Sequence, residues 1–247
     1  MTNQSTASQN EIKKFTSIAD NWWDLSGDFA PLHRLNPIRL KFIRDHLCKH
    51  FSLDLLANKP LDGLDIIDIG CGGGILTEPI SRLGGTVTGI DAGLENIKIA
   101  RNHAQLMELN INYIHKLPEE LCLHENLYDV VLNMEIVEHV PDLDKFLKTT
   151  SSLIKPGGVM VNSTINRTLK SLALAKVAAE YVLRWLPAGT HKWQKFVRPT
   201  ELASILKSSE VEIIDLKGMT YRPFFDEWKL SKDLSVNYLA FSIKKQI

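Results

Sequence analysis

Residues 64–74 read Leu64-Asp-Ile-Ile-Asp68-Ile-Gly70-Cys-Gly72-Gly73-Gly74, and after a helix-like run the chain continues Thr86-Val-Thr-Gly-Ile90-Asp91. The first stretch is a short apolar run that ends in a glycine cluster. The second is rich in β-branched residues and ends in an acid. This order predicts a strand, a tight loop, a helix and a second strand. Such a unit opens a doubly wound α/β sheet, in which ligands bind beyond the carboxyl ends of the strands.

The glycine loop predicts a nucleoside site. Gly70 and Gly72 have no Cβ atom, so the backbone here can adopt positive φ angles and approach a ligand closely. The helix that follows directs unpaired N–H groups to the same place. Asp91 stands roughly 20 residues after the first glycine, where a carboxylate accepts hydrogen bonds from ribose hydroxyls. With Asp68 just before the loop, the spacing resembles the nucleoside loop of S-adenosylmethionine-dependent methyltransferases more than a nicotinamide site.

Composition restricts the class of protein. The chain has 247 residues, which suffices for one α/β domain with extensions, and 29 basic residues balance 29 acidic ones. This balance does not favour a nucleic-acid partner, because a duplex requires a strongly basic surface. Cys48, Cys71 and Cys122 lack metal-ligand spacing, so we expect free thiols in a reducing compartment. The sequence has no apolar run of about 20 residues and no secretion signal.

Apolar runs and turn residues alternate along the chain and predict a single domain. We expect an α/β, doubly wound, mostly parallel sheet of seven strands. An N-terminal helical cover and a helical segment inserted after strand five complete the predicted fold. The predicted parts are a disordered start (1–10), the helical cover (11–60), a nucleoside-binding core (61–164), a basic amphipathic insertion (165–200) and C-terminal strands (201–247). Within the cover, the patterns predict a helix from Asn10 to Leu25 and another that starts at Asn36-Pro37.

Three further residues are candidates for contact with S-adenosylmethionine. Arg39, in the first turn of a predicted helix, can pair with its carboxylate, although an arginine in such a position is usually a solvated charge. Leu117 follows the third strand, where it can form a wall for the adenine ring or simply pack. Met134 ends the fourth strand, beside the expected position of the sulfonium and the adenosine.

The segment after the fourth strand carries groups able to do chemistry. If residues 135–139 are helical, Glu135 lies beside both Glu138 and His139. Three interpretations stay open. In the first, the acids complement a helix dipole and His139 only makes structural hydrogen bonds. In the second, His139 is a general base. In the third, the three side chains bind a divalent cation.

A second constellation is basic. Seven cations and one acid, Glu180, lie between residues 167 and 198. The cations are Arg167, Lys170, Lys176, Arg184, Lys192, Lys195 and Arg198. Apolar residues near helical spacing, from Leu172 to Leu186, predict an amphipathic helix. Such a helix is typical of an anionic membrane surface, whereas the alternative is a lid helix with a solvated basic face.

Several motifs together resemble one family, the ubiquinone-biosynthesis O-methyltransferases. The resemblance runs from about Glu11 to the end of the chain. The motifs are Trp22-Trp23-Asp24, Pro31-Leu-His-Arg-Leu-Asn-Pro-Ile-Arg39-Leu40, Asp68-Ile-Gly-Cys-Gly-Gly-Gly74, Met134-Glu-Ile-Val-Glu-His-Val140 and Pro187-Ala-Gly-Thr-His191.

The resemblance implies a Rossmann-like class I methyltransferase that transfers a methyl group from S-adenosylmethionine to catechol-type hydroxyls. The implied acceptors are two polyprenylated intermediates, 3-demethylubiquinol and 2-polyprenyl-6-hydroxyphenol. Cofactor contacts carry over to Arg39, Gly70, Asp91 and Met134, and a divalent ion such as Mg²⁺ to Glu135, Glu138 and His139.

The family also implies a cytoplasmic, peripherally membrane-associated protein and association with other proteins of ubiquinone biosynthesis. Two alternatives are a methyltransferase for another small apolar substrate and a non-catalytic nucleoside-binding relative. The intact Glu135, Glu138 and His139 cluster argues against the second, because an inert relative would not need it.

Overall fold

A computed structural model describes residues 5–121, 127–173, 193–222, 225 and 227–246. The described strands are β1 Asp65–Ile69, β2 Thr86–Asp91, β3 Asn112–His115, β4 Tyr128–Met134, β5 Ile154–Ile165, β6 Val211–Arg222, β7 Glu227–Ser231 and β8 Asn237–Lys244. The described α-helices are α1 Gln9–Thr16, α2 Ala30–His50, α3 Thr77–Arg82, α4 Leu94–Leu106, α5 Pro118–Leu121, α6 Leu143–Ser152, α7 Leu169–Ser171 and α8 Pro199–Ser208.

The strands of the described residues form one sheet in the order β3-β2-β1-β4-β5-β8-β6-β7. The first five are parallel, whereas β8 runs antiparallel to both β5 and β6, and β7 runs antiparallel to β6. The chain leaves β1 towards β3 and returns on the other side at β4, so the order reverses between β1 and β4. The doubly wound α/β fold is confirmed. The predicted count of seven strands is wrong, because the residues between β6 and β8 form the additional strand β7.

Both faces of the sheet are covered. Successive side chains of a strand point to opposite faces, so Ile66 and Ile67 of β1 belong to two different core clusters. Helix α2 contributes Phe42 and Leu47 to the first cluster. Helices α6 and α8 cover the other face. Burial on both sides explains why the central strands are almost continuously apolar.

Two helix boundaries differ from the prediction. Helix α2 begins at Ala30, and Pro37 lies inside it. Pro31 is in the first turn, where a missing N–H costs no hydrogen bond. The side-chain amide of Asn36 does not cap a helix and donates instead to the carbonyl oxygen of Ile75 at 2.7 Å. Helix α1 ends at Thr16, well before Leu25, and a short 3₁₀ helix follows at Ala19–Asn21.

The N-terminal segment was predicted to be disordered through residue 10, of which residues 1–4 lie outside the described part. The structure instead gives residues 5–10 a defined place. Thr6 is buried, and its backbone N–H donates to Glu119 Oε1 at 2.9 Å. The segment thereby reaches across to α5.

Most of the predicted basic amphipathic helix lies within residues 174–192, outside the described residues. The same holds for Cys122 and for the motif at 187–191. Where the chain is described, no helix combines the length and apolarity that crossing a membrane requires.

Candidate active site

A cavity of about 860 Å³ lies at the carboxyl ends of β1, β2 and β4. This is the edge at which a doubly wound sheet places its ligands. Nine of the ten predicted site residues line the cavity: Arg39, Asp68, Gly70, Gly72, Asp91, Leu117, Met134, Glu135 and His139. The tenth, Glu138, is buried beside the cavity and does not line it.

Asp91 holds the glycine loop in place. Its Oδ2 accepts the backbone N–H of Gly72 at 3.1 Å. Its Oδ1 accepts the N–H of Gly93 at 2.7 Å and the side-chain amide of Asn96 at 3.0 Å. The φ angle of Gly72 is +54°, a conformation that glycine adopts without strain.

These contacts limit what Asp91 can still bind. A carboxylate has about four acceptor positions, and three protein donors occupy three of them. Oδ2 therefore keeps room for one further strong hydrogen bond, and a second ribose hydroxyl would share a position with a protein donor. Burial raises the pKa of Asp91, while the hydrogen bonds from Gly93, Asn96 and Gly72 oppose that rise.

Asp68 lies at the end of β1, almost completely buried, and accepts the Thr77 hydroxyl at 2.6 Å. Burial raises the pKa of Asp68 to about 6, against the Thr77 hydrogen bond. The cavity therefore has two acids at its nucleoside end. This negative character suits a ligand that carries a positive charge.

Two adjacent tryptophans cover the glycine loop. A Cβ atom at Gly72 would lie 2.3 Å from a ring atom of Trp22. The ring N–H of Trp23 donates to the carbonyl oxygen of Gly73 at 3.0 Å, and that of Trp22 donates to Asn96 Oδ1 at 3.0 Å. Trp22 is thus joined through Asn96 to Asp91. The role of Asn96 was missed, because an asparagine near a helix start has no distinctive spacing.

At the end of β4, Glu135 and Arg39 form an ion pair across the cavity. Arg39 Nη2 lies 2.8 Å from Glu135 Oε1, and the Ser163 hydroxyl also donates to that carboxylate. Glu135 has a φ angle of +53°, and strained residues of this kind cluster at functional sites. Arg39 Nε is buried and has no hydrogen-bond acceptor among the described residues. An anionic ligand group in the cavity would supply one.

The segment after Glu135 is a turn and not the helix that the sequence analysis allowed for. The His139 N–H donates to the Ile136 carbonyl oxygen at 2.9 Å. His139 Nδ1 lies 3.1 Å from Glu11 Oε2. The Phe15 ring packs perpendicular to the imidazole, with ring centroids 5.1 Å apart. The hydrogen bond to His139 lowers the pKa of Glu11. Glu11 was missed, because the pair is 128 residues apart in sequence.

The predicted metal ligands are directed to different partners. Glu138 Oε2 accepts the Thr164 hydroxyl at 2.7 Å, while Glu135 faces Arg39 and His139 faces Glu11. Within the described residues, no group of three or more His, Cys, Asp or Glu side chains is arranged to hold a metal ion.

One observation nevertheless fits a cation. Glu138 Oε1 is buried without a hydrogen-bond partner in the described part of the chain. Burial and the charge of Glu135 raise the pKa of Glu138 to about 7. The donor chemistry of Glu135, Glu138 and His139 therefore suits a divalent ion, but their present arrangement is not that of a ligand set. The metal site stays a prediction.

The two apolar candidates also face the cavity. Met134 is the last residue of β4 and packs against the core. Leu117 follows β3, and its N–H donates to Glu120 Oε2 at 2.7 Å, which fixes the turn. Both residues line the cavity, and their contact with a nucleoside stays a prediction.

Comparisons with known proteins show the family of the chain. A methyltransferase-domain family model matches residues 40–216. A ubiquinone biosynthesis O-methyltransferase from Paramagnetospirillum magneticum is 48% identical over 244 residues, covering 99% of this chain and 98% of the relative. One from Brucella ovis is 48% identical over 241 residues, covering 98% and 97% of the two chains.

Among solved structures, magnesium protoporphyrin IX methyltransferase (ChlM) from Synechocystis PCC 6803, with bound SAH, is similar in fold. The TM-score is 0.66 at 18% identity, and the match covers 96% of this chain and 98% of that one. At this identity the likeness supports the fold alone.

Proposed function

Since this chain belongs to the ubiquinone biosynthesis O-methyltransferase family, we propose that it performs both O-methylations, on 3-demethylubiquinol and on 2-polyprenyl-6-hydroxyphenol. It is an S-adenosylmethionine-dependent O-methyltransferase. The observation that supports the proposal best is the continuous cavity. It joins the glycine loop and Asp91 to Glu135 and His139, so that a nucleoside donor and a phenolic acceptor can meet.

Different residues of the cavity bind different parts of the donor. Asp91 accepts a ribose hydroxyl on Oδ2, and the backbone at Gly70 and Gly72 approaches the nucleoside closely. Leu117 packs against the adenine ring. Arg39, whose Nε lacks an acceptor among the described residues, receives the methionyl carboxylate. Met134 lies beside the sulfonium.

The reaction is an in-line displacement in which the acceptor oxygen bonds to the methyl carbon. The carbon–sulfur bond breaks, and its electron pair stays on the sulfur of S-adenosylhomocysteine. The cavity aligns the three atoms. A phenolic hydroxyl has a pKa of about 10, so its proton must be removed. We assign that proton to His139, whose Nδ1 faces Glu11. A divalent ion at Glu135, Glu138 and His139, when bound, would lower the pKa of the hydroxyl instead.

The acceptor's polyprenyl tail suits a protein at a membrane surface. We propose that residues 167–198 contact an anionic bilayer on the cytoplasmic side. Among the described cations, Arg167 pairs with Glu201, and Lys170 pairs with Asp233 at 2.6 Å. The contact therefore relies mainly on the other five cations of the stretch, Lys176, Arg184, Lys192, Lys195 and Arg198. Co-sedimentation with anionic liposomes at low and high salt tests it, and absence of binding at both contradicts it. Association with other ubiquinone-biosynthesis proteins stays a proposal from the resemblance alone.

Methyl transfer to defined acceptors tests the function. The purified chain is incubated with methyl-labelled S-adenosylmethionine and each of the two prenylated catechols, with and without a chelator. We expect label on the catechol oxygen with both acceptors. Label on only one acceptor contradicts the two-step assignment. Donor binding without transfer favours the non-catalytic alternative. Loss of transfer on chelation, restored by Mg²⁺, favours the metal over His139 alone.

A further inference from the structure

The cavity extends well beyond the part that a nucleoside donor needs. It reaches from Asp91 at the end of β2 to Trp228 on β7. Neighbouring strands lie about 4.8 Å apart. From the strand order, β4 is therefore about 10 Å from β2, and β7 is about 19 Å from β4. A donor with its ribose at β2 and its methyl group near the end of β4 leaves this second span to the acceptor.

The far end of the cavity is formed by the hairpin of β6 and β7. Tyr221 is paired with Trp228 and Met219 with Leu230 in the strand register, so these four side chains share one face. The ring centroids of Tyr221 and Trp228 are 5.4 Å apart. Met219, Tyr221 and Trp228 line the cavity. The opposite face of the hairpin is polar, with Thr220 opposite Lys229 and Arg222 opposite Glu227. Of these four residues, Thr220 also lines the cavity.

The two ends of the cavity differ in polarity. The nucleoside end has Asp68, Asp91 and Asn96, whereas the hairpin end presents two aromatic rings and a thioether beside a single threonine, Thr220. Aromatic and methionine side chains bind branched hydrocarbon well and require no polar partner. Lys170 and Asp233, paired at 2.6 Å, also line the cavity. Beyond Lys170 the chain continues into the basic stretch proposed for membrane contact.

A second apolar wall, from helix α1, is less suited to a tail. The ring of Phe15 on α1 packs perpendicular to that of His139, and Glu11 contacts the same imidazole. Helix α1 thus covers the reacting end of the cavity, whereas the hairpin extends the cavity away from it.

We propose that the face formed by Met219, Tyr221 and Trp228 is the binding subsite for the first isoprene units of the acceptor's tail. The proposal rests on the proposed function and adds to it the residues that select a prenylated over a plain catechol. Contact at a tail remote from the reacting oxygen is uniform binding, so it acts on KM and leaves kcat unchanged.

Two acceptors with the same reacting ring test the subsite: catechol and a catechol that carries a geranyl chain. The wild-type chain is expected to prefer the geranyl compound in kcat/KM. In Trp228→Ala, we expect kcat/KM for the geranyl compound to fall at least about tenfold, through KM. The kcat/KM for catechol and the affinity for S-adenosylhomocysteine should stay unchanged in this variant. Phe225→Ala is the matched control, because Phe225 lies on the same hairpin, exposed and outside the cavity.

The outcomes separate the subsite from the function. If the wild type methylates neither acceptor, the proposed function fails, and the subsite fails with it. If the wild type methylates both acceptors, the function stands. The subsite is then wrong if Trp228→Ala lowers kcat/KM equally for both acceptors or for neither. Ile12 lies on α1 and lines the cavity. If Ile12→Ala loses the preference for the geranyl compound and Trp228→Ala keeps it, the tail lies under α1 and the proposal is overturned. If circular dichroism shows that Trp228→Ala does not fold, Tyr221→Ala decides by the same criteria.

Discussion

Asp91 is the residue on which donor binding depends most. Replacing it with alanine removes the acceptor for the ribose hydroxyl and frees the Gly72 N–H. We expect the dissociation constant for S-adenosylhomocysteine to rise by about one to two powers of ten, since a hydrogen bond to a charged group contributes about 1.5–3 kcal/mol. Calorimetry measures the change. Glu95→Ala, which removes an exposed acid nearby, is the control and should bind normally. Unchanged affinity in Asp91→Ala would contradict the ribose assignment.

Asp68 makes the stability of the donor-free protein depend on pH. Its pKa rises on folding from 3.8 to about 6, chiefly through burial. Below both values the carboxyl is protonated in either state. As pH rises through this window the unfolded chain releases its proton first, so stability is lost until about pH 6 and then levels off.

The pKa difference corresponds to about 3 kcal/mol at most. In Asp68→Asn the neutral amide can still accept the Thr77 hydroxyl but does not titrate. The free energy of unfolding of this variant, measured in urea without donor, should therefore rise relative to wild type between pH 4 and 7. A difference that is constant with pH would contradict the buried, titrating carboxyl.

His139 is the residue assigned to the acceptor's proton. We expect His139→Ala to lower kcat by roughly two to four powers of ten, the usual contribution of a general base, while S-adenosylmethionine still binds. His50→Ala is a matched control, because His50 binds the Gly157 carbonyl oxygen at 2.9 Å, away from the cavity. An unchanged kcat in His139→Ala would exclude His139 from the chemistry.

The sequence predicted single residues where their chemistry is local. Gly70, Gly72 and Asp91 follow directly from the order strand, glycine loop, strand and acid. Glu11 and Trp228 could not be predicted. Glu11 meets His139 only through the tertiary fold, and Trp228 reaches the cavity only because β7 pairs with β6.

At the scale of elements, the glycine loop and its tryptophan cover form one packed unit. Gly72→Ala would place a methyl group 2.3 Å from the Trp22 ring at a φ angle of +54°. We expect a loss of about 2–4 kcal/mol in the free energy of unfolding, from backbone strain and overpacking together.

Gly63→Ala separates these two effects. Gly63 has a φ angle of +83°, and a Cβ there would meet nothing within 4 Å. This variant should lose only the strain, about 1–2 kcal/mol. Equal losses for the two variants, measured by urea unfolding, would contradict close packing of Trp22 on the loop.

Element boundaries were less predictable than element types. The pair Asn36-Pro37 is a favourable helix start, yet α2 begins at Ala30 because Pro31 serves in the first turn. The Asn36 side chain is used elsewhere, on the Ile75 carbonyl oxygen. Local capping rules could not reveal this, because the competing partner lies 39 residues away in sequence.

At the scale of the whole molecule, strand order determines where the candidate site lies. Reversal of the order between β1 and β4 brings the donor acids and the Glu135–His139 segment to one edge of the sheet. The doubly wound class was predictable from the alternating pattern. The additional strand β7 was not predictable, since it is short and follows a connection with no clear period. The same strand completes the far end of the cavity.

The proposed reaction requires a nucleoside donor that lies across the glycine loop with its sulfur directed towards β4. A crystal structure with S-adenosylhomocysteine and a catechol tests this most directly. We predict a ribose hydroxyl within about 3.2 Å of Asp91 Oδ2, the sulfur beside Met134, and a catechol oxygen between the sulfur and His139. A nucleoside bound away from Asp91, or a sulfur directed away from His139, would contradict it.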